Sequence, residues 1–351
     1  MQLALQINHS TIDFQQADWE QMVRVSLKDH PEQEGFVSFL KEWLSDSDFI
    51  TAHSSGSTGE PKPIQLKKEW MKRSAELTRD FFQIPSGSVA LIKLPISFIA
   101  GKMMVVRAIE NNWHLITATP NSLADWENSD ITFAAFTPMQ VDSFLQENKE
   151  KYQKIERVII GGGKTSDALW HVLSTCSNSN YLTYGMTETC THVAVQEVSS
   201  KNQNGFFKAL AGVRFSMDDR SCLAIEAKHL DDHIIQTNDL VELQSEQSFN
   251  LIGRADRIIN SGGRKIFPER LEDLFQDQWN TPFYFCDRAD EKLGSQLVLV
   301  LQEREGLLLE KIQTDIEEKL EKYDRPKEIC IKKQLKYTHT GKLIKKWFDN
   351  E

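Results

Sequence analysis

The sequence has few cysteines, five among 351 residues, at positions 176, 190, 222, 286 and 330. No two of them form a CxxC pair or have the close spacing of a zinc site, and an odd number cannot all pair. This argues against a disulfide scaffold and favours reduced thiols in a cytoplasmic protein.

An excess of positive charge and a long apolar run are also missing. The formal net charge is −10, which argues against a nucleic-acid partner. The first residues lack a basic segment followed by an apolar core, and no stretch reaches the length that spans a bilayer. We therefore expect neither secretion nor membrane insertion.

The P-loop of the nucleoside triphosphatases is absent as well, although one stretch has a similar composition. In "SSGSTGEPK", residues 54–62, Gly56 and Gly59 are too close together for that motif, and Lys62 follows Pro61 instead of glycine. What remains is a loop of amides and hydroxyls that ends in one cation, which suits a polyphosphate. Taken alone, the stretch favours a flexible surface turn.

The sequence does contain a regular alternation of apolar runs of strand length and segments with helical spacing. With 40% hydrophobic and 26% charged residues it is typical of a soluble globular protein, and its length predicts two domains of unequal size. The alternation predicts a layered α/β core. The strand-length runs are residues 89–94, 113–117, 132–137 and 157–160, and the helical segments include 102–110 and 139–145.

A further helix is predicted soon after the Gly/Ser loop, because Trp70, Ser74, Leu77 and Phe81 fall on one helical face. The loop is therefore expected between a strand and this helix, where phosphate loops often lie. No repeat or low-complexity tract interrupts the pattern.

The composition changes after Gly253, and this predicts a second, smaller α+β unit. Its predicted elements are a helix at 268–275, strands around 283–286 and 297–301, an amphipathic helix at 308–322 and a strand near 329–331. We therefore divide the chain into a large α/β domain at 1–253, a linker at 254–257 and a small domain at 258–351.

Three further motifs carry groups that suit nucleotide chemistry. "YGMTETCTH", residues 184–192, follows an apolar run, as expected of a strand end that opens onto a ligand-binding turn. Its ring could stack on a base and Glu188 could bind Mg²⁺, or the segment could be an ordinary helix N-terminus with Thr caps. Asp239 could bind ribose hydroxyls or shape an Asx turn, and Lys342 could be catalytic or merely solvated charge.

Together and in this order, the motifs resemble those of the adenylate-forming superfamily, which contains acyl-CoA synthetases, nonribosomal peptide adenylation domains and luciferases. The motifs are "SSGSTGEPK", "YGMTE", "TND", "GRADRII" and "THTGK", and the resemblance covers roughly residues 51–351. It implies a large layered α/β domain, short at its N-terminal side, and a small mobile α+β domain that turns about a hinge at 254–257. Within the superfamily the sequence is most similar to short bacterial o-succinylbenzoate–CoA ligases of menaquinone synthesis.

The implied activity is that of an AMP-forming acid–thiol ligase. Such an enzyme joins a small carboxylic acid to coenzyme A through an acyl-adenylate, with ATP as co-substrate and Mg²⁺ as cofactor. Another acyl- or aryl-CoA ligase of the superfamily, or a nucleotide-binding relative without catalysis, is the alternative. The oligomeric state stays open.

The resemblance also implies roles for single residues. Lys342, Thr187 and Glu188 would be catalytic, with Glu188 binding Mg²⁺, and Asp256 would lie at the hinge. Gly262 and Gly263 would let the pantetheine of CoA approach the backbone. The implied nucleotide-binding residues are Ser54, Ser55, Gly56, Ser57, Thr58, Gly59 and Lys62 at the polyphosphate, Tyr184 at the adenine, Gly162 and Gly163 along the adenine and acyl pockets, and Asp239 and Arg254 at the ribose.

Two features depart from the family pattern or extend it. Phe98 stands where many members carry His. A dicarboxylate substrate needs a cation away from its reacting end, and the candidates are Lys102, Arg107, Lys164 and His192. For Lys102 and Arg107, ordinary surface charge is the alternative.

Overall fold

The computed structural model describes residues 4–8, 10–28, 30, 35–53, 62–117, 126, 130–200, 205–279, 281–337 and 343–347. Within these ranges the chain forms a 13-stranded sheet, a five-stranded sheet and a separate two-stranded sheet. No helix in these ranges is long and apolar enough to cross a membrane.

The first part of the chain, up to Arg254, contains the large sheet and the helices that cover it. Its strands are β1 (Ala4–Ile7), β2 (Ser10–Asp13), β3 (Phe49–His53), β4 (Pro63–Lys67), β5 (Val89–Ile92), β6 (His114–Thr117), β7 (Phe133–Phe136), β8 (Arg157–Ile160), β9 (Ser179–Gly185), β10 (His192–Glu197), β11 (Phe207–Ala209), β12 (Val213–Met217), β13 (Cys222–Ala227), β14 (His233–Ser245) and β15 (Ser248–Arg254). Its helices are α1 (Trp19–Ser26), α2 (Phe36–Leu44), α3 (Lys68–Phe82), α4 (Ile99–Asn111), α5 (Pro138–Tyr152) and α6 (Asp167–Ser174).

The large sheet changes from parallel to antiparallel pairing at β9. Its strand order is β12-β13-β14-β15-β11-β10-β9-β8-β7-β5-β6-β1-β2. The pairs from β1 to β9 are parallel, whereas β9 and β10 pair antiparallel, as do the strands beyond them. Because β6 lies on one side of β5 and β7 on the other, the chain reverses its direction across the sheet at β5. Such a switch point marks the edge where α/β folds bind ligands.

Strand β7 shows why the parallel strands are apolar throughout. Its residues alternate between two hydrophobic clusters, with Phe133 and Ala135 in one and Ala134 and Phe136 in the other. Alternate side chains of a strand point to opposite faces, so helices must cover both faces. The layered α/β fold class is confirmed, and the four predicted strands correspond to β5–β8 with ends that agree within two residues.

The buried face of α3 agrees with the prediction only in part. Ser74 is buried, and Trp70 and Leu77 pack against the core, but Phe81 is 43% exposed. Met71, Ala75, Thr78 and Phe82 are also buried, and Ala75 and Thr78 contact α4. Thr78 there accepts a hydrogen bond from a buried arginine, Arg107.

The expected position of the Gly/Ser loop, between a strand and a helix, is also wrong. Strands β3 and β4 pair antiparallel, with His53 opposite Pro63, so the loop connects two strands and α3 begins only at Lys68. The short segment "PIQLK" begins with proline and has polar residues at its exposed positions, which hides its strand character. Residues 54–61 themselves lie outside the described ranges.

The chain beyond the large sheet forms a smaller sheet with its own core. Its strands are β16 (Ile259–Ser261), β17 (Arg264–Ile266), β18 (Phe283–Asp290), β19 (Gly294–Gln302) and β20 (Glu328–Lys332), and its helices are α7 (Pro268–Phe275) and α8 (Leu309–Lys319). All predicted elements of this unit are present. A one-turn 3-10 helix, Ala255–Arg257, connects the two sheets. The division into domains at 254–257 stays a prediction.

Candidate active site

Two turns that carry predicted nucleotide-binding and catalytic residues lie at one edge of the large sheet. The GGGK turn, residues 161–164, directly follows β8, and the YGMTET turn, residues 184–189, ends β9 and leads to β10. Because β8 and β9 are parallel neighbours, the two turns leave the sheet side by side.

The GGGK turn is shaped by close contact with β9. A Cβ on Gly161 would lie 2.4 Å from the Thr183 hydroxyl oxygen, so a larger residue would require Thr183 to move. Thr183 in turn donates to the Ile160 carbonyl at the end of β8. Gly162, with a φ of +80°, and Gly163 are exposed, which leaves the backbone of the turn open to a ligand.

The YGMTET turn is fixed by its threonines. The Thr189 hydroxyl accepts from the Met186 amide at 2.9 Å and can donate to the Thr191 carbonyl at 2.6 Å. A Cβ on Gly185 would lie 2.3 Å from that same carbonyl oxygen, which explains why glycine stands there. Thr187 is buried in the turn, whereas Glu188 is exposed. The segment closes a hairpin between β9 and β10 through a one-turn 3-10 helix, Thr187–Thr189, so the alternative interpretation as a helix N-terminus applies to this single turn and not to an α-helix.

Four of the predicted residues form one chain of hydrogen bonds. The Tyr184 hydroxyl donates to Asp239 Oδ2 at 2.6 Å, and Arg254 Nη1 approaches Asp239 Oδ1 at 3.5 Å. Arg254 also holds Asp256 through two bonds, of 2.9 Å and 2.7 Å. The pairing of β14 with β15 places Asp239 directly opposite Arg254. The structure therefore brings the predicted adenine, ribose and hinge residues together.

The pKa shifts along this chain of hydrogen bonds preserve the charges of Arg254 and Asp256. The bidentate bond to Asp256 raises the pKa of Arg254 and lowers the pKa of Asp256. Burial, with the Asp239 carboxylate beside it, raises the pKa of Tyr184 well above its usual range, so that hydroxyl remains a donor. Asp239 is 9% exposed and is thus a largely desolvated acceptor.

The Tyr184 ring is itself largely packed. It meets Phe249 edge to face at 5.0 Å between ring centroids and Phe207 at 6.0 Å. Only 8% of the residue is exposed. Its role as the adenine platform stays a prediction.

Arg107 on α4 is a fully buried cation behind the YGMTET turn. Its Nη2 donates to the Thr191 hydroxyl at 2.8 Å, its Nε donates to Thr78 at 3.2 Å, and its Nη1 lies 3.6 Å from the Met104 sulfur. Burial lowers its pKa to about 9. No carboxylate among the described residues pairs with it. The surface-charge interpretation of Arg107 is therefore wrong.

The three other candidate cations have different surroundings. Lys102 donates to the Thr51 carbonyl at 3.2 Å, and burial lowers its pKa. Lys164 is exposed and pairs with Asp273 on α7. Burial, with Arg107 nearby, lowers the pKa of His192 far below its usual range, so this imidazole is neutral at physiological pH. Its Nε2 has no hydrogen-bond partner among the described residues.

Several predicted site residues lie outside the described ranges. They are Ser54, Ser55, Gly56, Ser57, Thr58, Gly59 and Lys342. Lys62, which follows the loop, is exposed. Their roles stay predictions.

Residues 7–218 match the family model described as AMP-binding enzyme. The chain belongs to the AMP-binding enzyme family. The predicted superfamily is thereby confirmed.

Several proteins similar to this chain have names that are consistent with this family. A crystal structure of an acyl-CoA synthetase (AMP-forming)/AMP-acid ligase II-like protein from Dyadobacter fermentans is 32% identical, with a TM-score of 0.59 over 90% of this chain and 92% of that one. A 2-succinylbenzoate–CoA ligase from Staphylococcus epidermidis is 24% identical over 85% of this chain and 69% of the relative. An o-succinylbenzoate CoA synthetase from Bacillus subtilis, solved with its acyl-adenylate intermediate, is 19% identical with a TM-score of 0.76, over 84% of this chain and 67% of that one, and shares the fold.

The donor set of this AMP-binding enzyme fits a magnesium ion that arrives with a nucleotide. No cluster of three or more His, Cys, Asp or Glu side chains in the described part of the chain could hold a metal by itself. Glu188 offers one exposed carboxylate at the turn. Mg²⁺ is commonly bound by one or two carboxylates together with substrate phosphates and water, so one carboxylate suffices.

Two further predicted features of the enzyme have clear positions. Phe98 is the N-terminal cap residue of α4 and is half-buried, at the carboxyl end of the loop that follows β5. Gly262 and Gly263 form the turn between β16 and β17, with φ of +59° and +84°. The approach of pantetheine to these glycines stays a prediction.

The sequence motifs did not identify two residues of this site, Thr78 and Thr191, both of which accept a hydrogen bond from Arg107. One signal was available, since Arg107 interrupts the otherwise apolar run "MMVVRAI". A charge within such a run is buried only with polar partners. The sequence does not show which residues those partners are.

Proposed function

We propose that this AMP-binding enzyme is an ATP-dependent carboxylate–CoA ligase with o-succinylbenzoate as its acid, and that it makes o-succinylbenzoyl-CoA for menaquinone synthesis. The names of the curated relatives support the substrate, including a second 2-succinylbenzoate–CoA ligase, from Lactococcus lactis, at 20% identity. One structural observation carries the proposal, the buried guanidinium of Arg107 without a carboxylate partner among the described residues.

A buried charge without a counter-charge is unfavourable, and truncating one partner of a buried ion pair typically costs about 3–5 kcal/mol. An anionic ligand could supply the missing charge. o-Succinylbenzoate has two carboxylates, one on the ring and one at the end of the succinyl chain. We assign the ring carboxylate to Arg107. It would bind on the side of Nη1, whose contact among the described residues is the weak acceptor Met104. We assign the succinyl carboxylate to the reacting end.

The other candidate cations suit this task less well. Lys164 already has Asp273 as a partner, and the neutral His192 offers no charge. Lys102 lies beside β3, the strand that leads into the Gly/Ser loop, so it is better placed to act near the polyphosphate. His192 lies 3.5 Å from the Arg107 guanidinium and can supply a neutral hydrogen bond to the same carboxylate.

We assign the nucleotide to the turns at the sheet edge. The adenine would lie between Tyr184 and the open GGGK backbone. The ribose hydroxyls would donate to Asp239. Its Oδ1 lies 3.5 Å from Arg254 Nη1, which is a long contact, so this oxygen can accept a further hydrogen bond. Glu188 would bind Mg²⁺, which when present neutralises part of the phosphate charge.

The proposed chemistry requires two anions to approach each other. The acid carboxylate attacks the α-phosphate, an acyl–phosphate bond forms and pyrophosphate leaves. Lys342 and Thr187 would hold the negative charge that develops on the phosphate oxygens. In the second step the CoA thiolate attacks the acyl carbon and AMP leaves, after the small domain, residues 258–351, turns about Asp256.

The reaction consumes ATP and CoA, and all five cysteines of the enzyme are free thiols. Both features suit the reducing cytoplasm, where we place the reaction. The acid, ATP and CoA are its proposed partners.

The assignment of Arg107 predicts a change in substrate selectivity. Replacing Arg107 by Gln should lower kcat/KM for o-succinylbenzoate about thirtyfold, because one charged hydrogen-bonding partner is lost. 3-Benzoylpropionate lacks only the ring carboxylate, so its kcat/KM should change by less than about threefold. Acid-dependent pyrophosphate release with both acids measures this ratio.

A matched control separates selectivity from misfolding. Arg79→Gln removes a guanidinium at the end of α3, which contacts Asp80 and Asn111, and it should affect both acids alike and weakly. An equal loss for both acids in Arg107→Gln would instead assign Arg107 to the fold. In that case another acyl- or aryl-CoA ligase activity would be favoured.

A further inference from the structure

Glu272 on α7 is a buried carboxylate with three donors. Its Oε1 accepts from Arg257 Nη2 at 3.0 Å and from the Phe285 amide at 3.2 Å, and its Oε2 accepts from Lys345 Nζ at 2.5 Å. The Glu272 side chain is 11% exposed. A carboxylate held in this way has one orientation, and it fixes the orientation of its donors.

The Arg257 side of this cluster belongs to the connection between the two sheets. Arg257 directly follows Asp256 and also donates to Glu269 at 2.9 Å and to the Phe285 carbonyl at 3.1 Å. Burial opposes the charge of Arg257, but the Glu272 and Glu269 carboxylates outweigh burial and raise its pKa. The guanidinium is therefore a permanent cation in a defined place.

The Lys345 side belongs to the C-terminal segment, residues 343–347. Leu343 pairs with Tyr337, and the Ile344 amide donates to the Lys336 carbonyl at 2.8 Å. The Tyr284 hydroxyl donates to the Lys346 carbonyl at 2.8 Å. These bonds dock the segment on residues 336–337 and on β18 through its backbone, and the Lys345–Glu272 ion pair adds a side-chain contact.

We propose that Glu272 is a positioning residue for the adenylation step, which acts by fixing Lys345. Lys345 follows the predicted catalytic lysine, Lys342, by three residues in the sequence, so fixing Lys345 restricts Lys342 to the reach of three residues of chain. The same carboxylate binds Arg257 beside the hinge, which ties this segment to the pivot of the small domain. This inference rests on the proposed function.

Lys345→Met tests the proposal, because it removes the ion pair and leaves Glu272 bound to Arg257. Adenylation kcat should fall about tenfold, since small displacements of a catalytic group can cost up to about a hundredfold. The KM for ATP and for the acid should change by less than about twofold. Thioester formation from preformed acyl-adenylate and CoA should stay at the parent rate.

Two matched variants belong to this test. Lys345→Arg keeps the charge and should restore most of the adenylation rate. Lys346→Met removes the neighbouring exposed lysine side chain and should leave both steps unchanged. Equal losses in both half-reactions, or no loss in Lys345→Met, would overturn the positioning role.

A second readout does not depend on activity. Hydrogen exchange of the Ile344 amide should become about tenfold faster in Lys345→Met and in Glu272→Gln, but not in Lys346→Met. Unchanged exchange in the first two variants would overturn the proposal. If the parent enzyme adenylates no acid, the proposed function fails and the role in adenylation fails with it, and the exchange measurement still decides whether the Glu272–Lys345 ion pair fixes the C-terminal segment.

Discussion

Replacing Lys342 by Ala should slow adenylation about a hundredfold to a thousandfold, the usual contribution of a charge-stabilising donor in a preorganised site. The lysine would hold charge on the phosphate oxygens as the acid carboxylate attacks, and it is the only lysine or arginine of the "THTGK" motif. Thioester formation from preformed acyl-adenylate and CoA should remain near the parent rate, because in the proposed mechanism the small domain turns and carries the lysine out of the pocket before this step.

Measuring the two half-reactions separately decides whether Lys342 has this role. Lys336→Ala, an exposed lysine in the same unit, is the control and should affect neither step strongly. Equal losses in both steps would indicate a general binding or folding role for Lys342. Loss in neither would leave it as solvated charge.

Replacing Asp239 by Ala should lower kcat/KM for ATP about a hundredfold or more, since each hydrogen bond to a charged group contributes about 1.5–3 kcal/mol and two ribose hydroxyls are available. The substitution also leaves the buried Tyr184 hydroxyl and Arg254 without their shared acceptor. Asp239→Asn keeps an acceptor for Tyr184 and should lose less activity.

The nucleotide itself provides the control for Asp239. With 2′,3′-dideoxy-ATP, which lacks both hydroxyls, parent and Asp239→Ala should differ by less than about threefold. Asp219→Ala, which removes an exposed aspartate between β12 and β13, should match the parent with either nucleotide. If Asp239→Ala lost as much activity with the dideoxy nucleotide as with ATP, the carboxylate would act on the fold and not on ribose.

The parallel strands could be predicted from the sequence because burial on both faces leaves a continuous apolar signature. The run Phe133–Phe136 shows it, with alternate residues in two cores. Strand β4 could not be recognised, because it pairs only locally and begins with proline. The face of α3 was misjudged in part because Thr78 faces a buried cation, and a hydrophobic pattern does not show such a partner.

The candidate site, like the fold, could be predicted only in part from the sequence. Motifs identified Tyr184, Asp239 and Arg254 one by one, but their hydrogen bonds depend on the register of β14 against β15 and on contacts between residues 55 positions apart. Arg107 has partners from α3 and from the end of the YGMTET turn. Long-range pairing of this kind arises from the fold as a whole, so a single sequence shows the participants and not their contacts.

Pyrophosphate release with a panel of carboxylic acids tests the central claim most directly. With ATP, Mg²⁺ and CoA present, release should depend on the acid, and kcat/KM should be highest for o-succinylbenzoate and lower for 3-benzoylpropionate, benzoate and short-chain acids. One thioester should form for each pyrophosphate. If no acid of the panel supported pyrophosphate release, the protein would be a nucleotide-binding relative without catalysis. A preference for a monocarboxylic acid would contradict the assigned substrate.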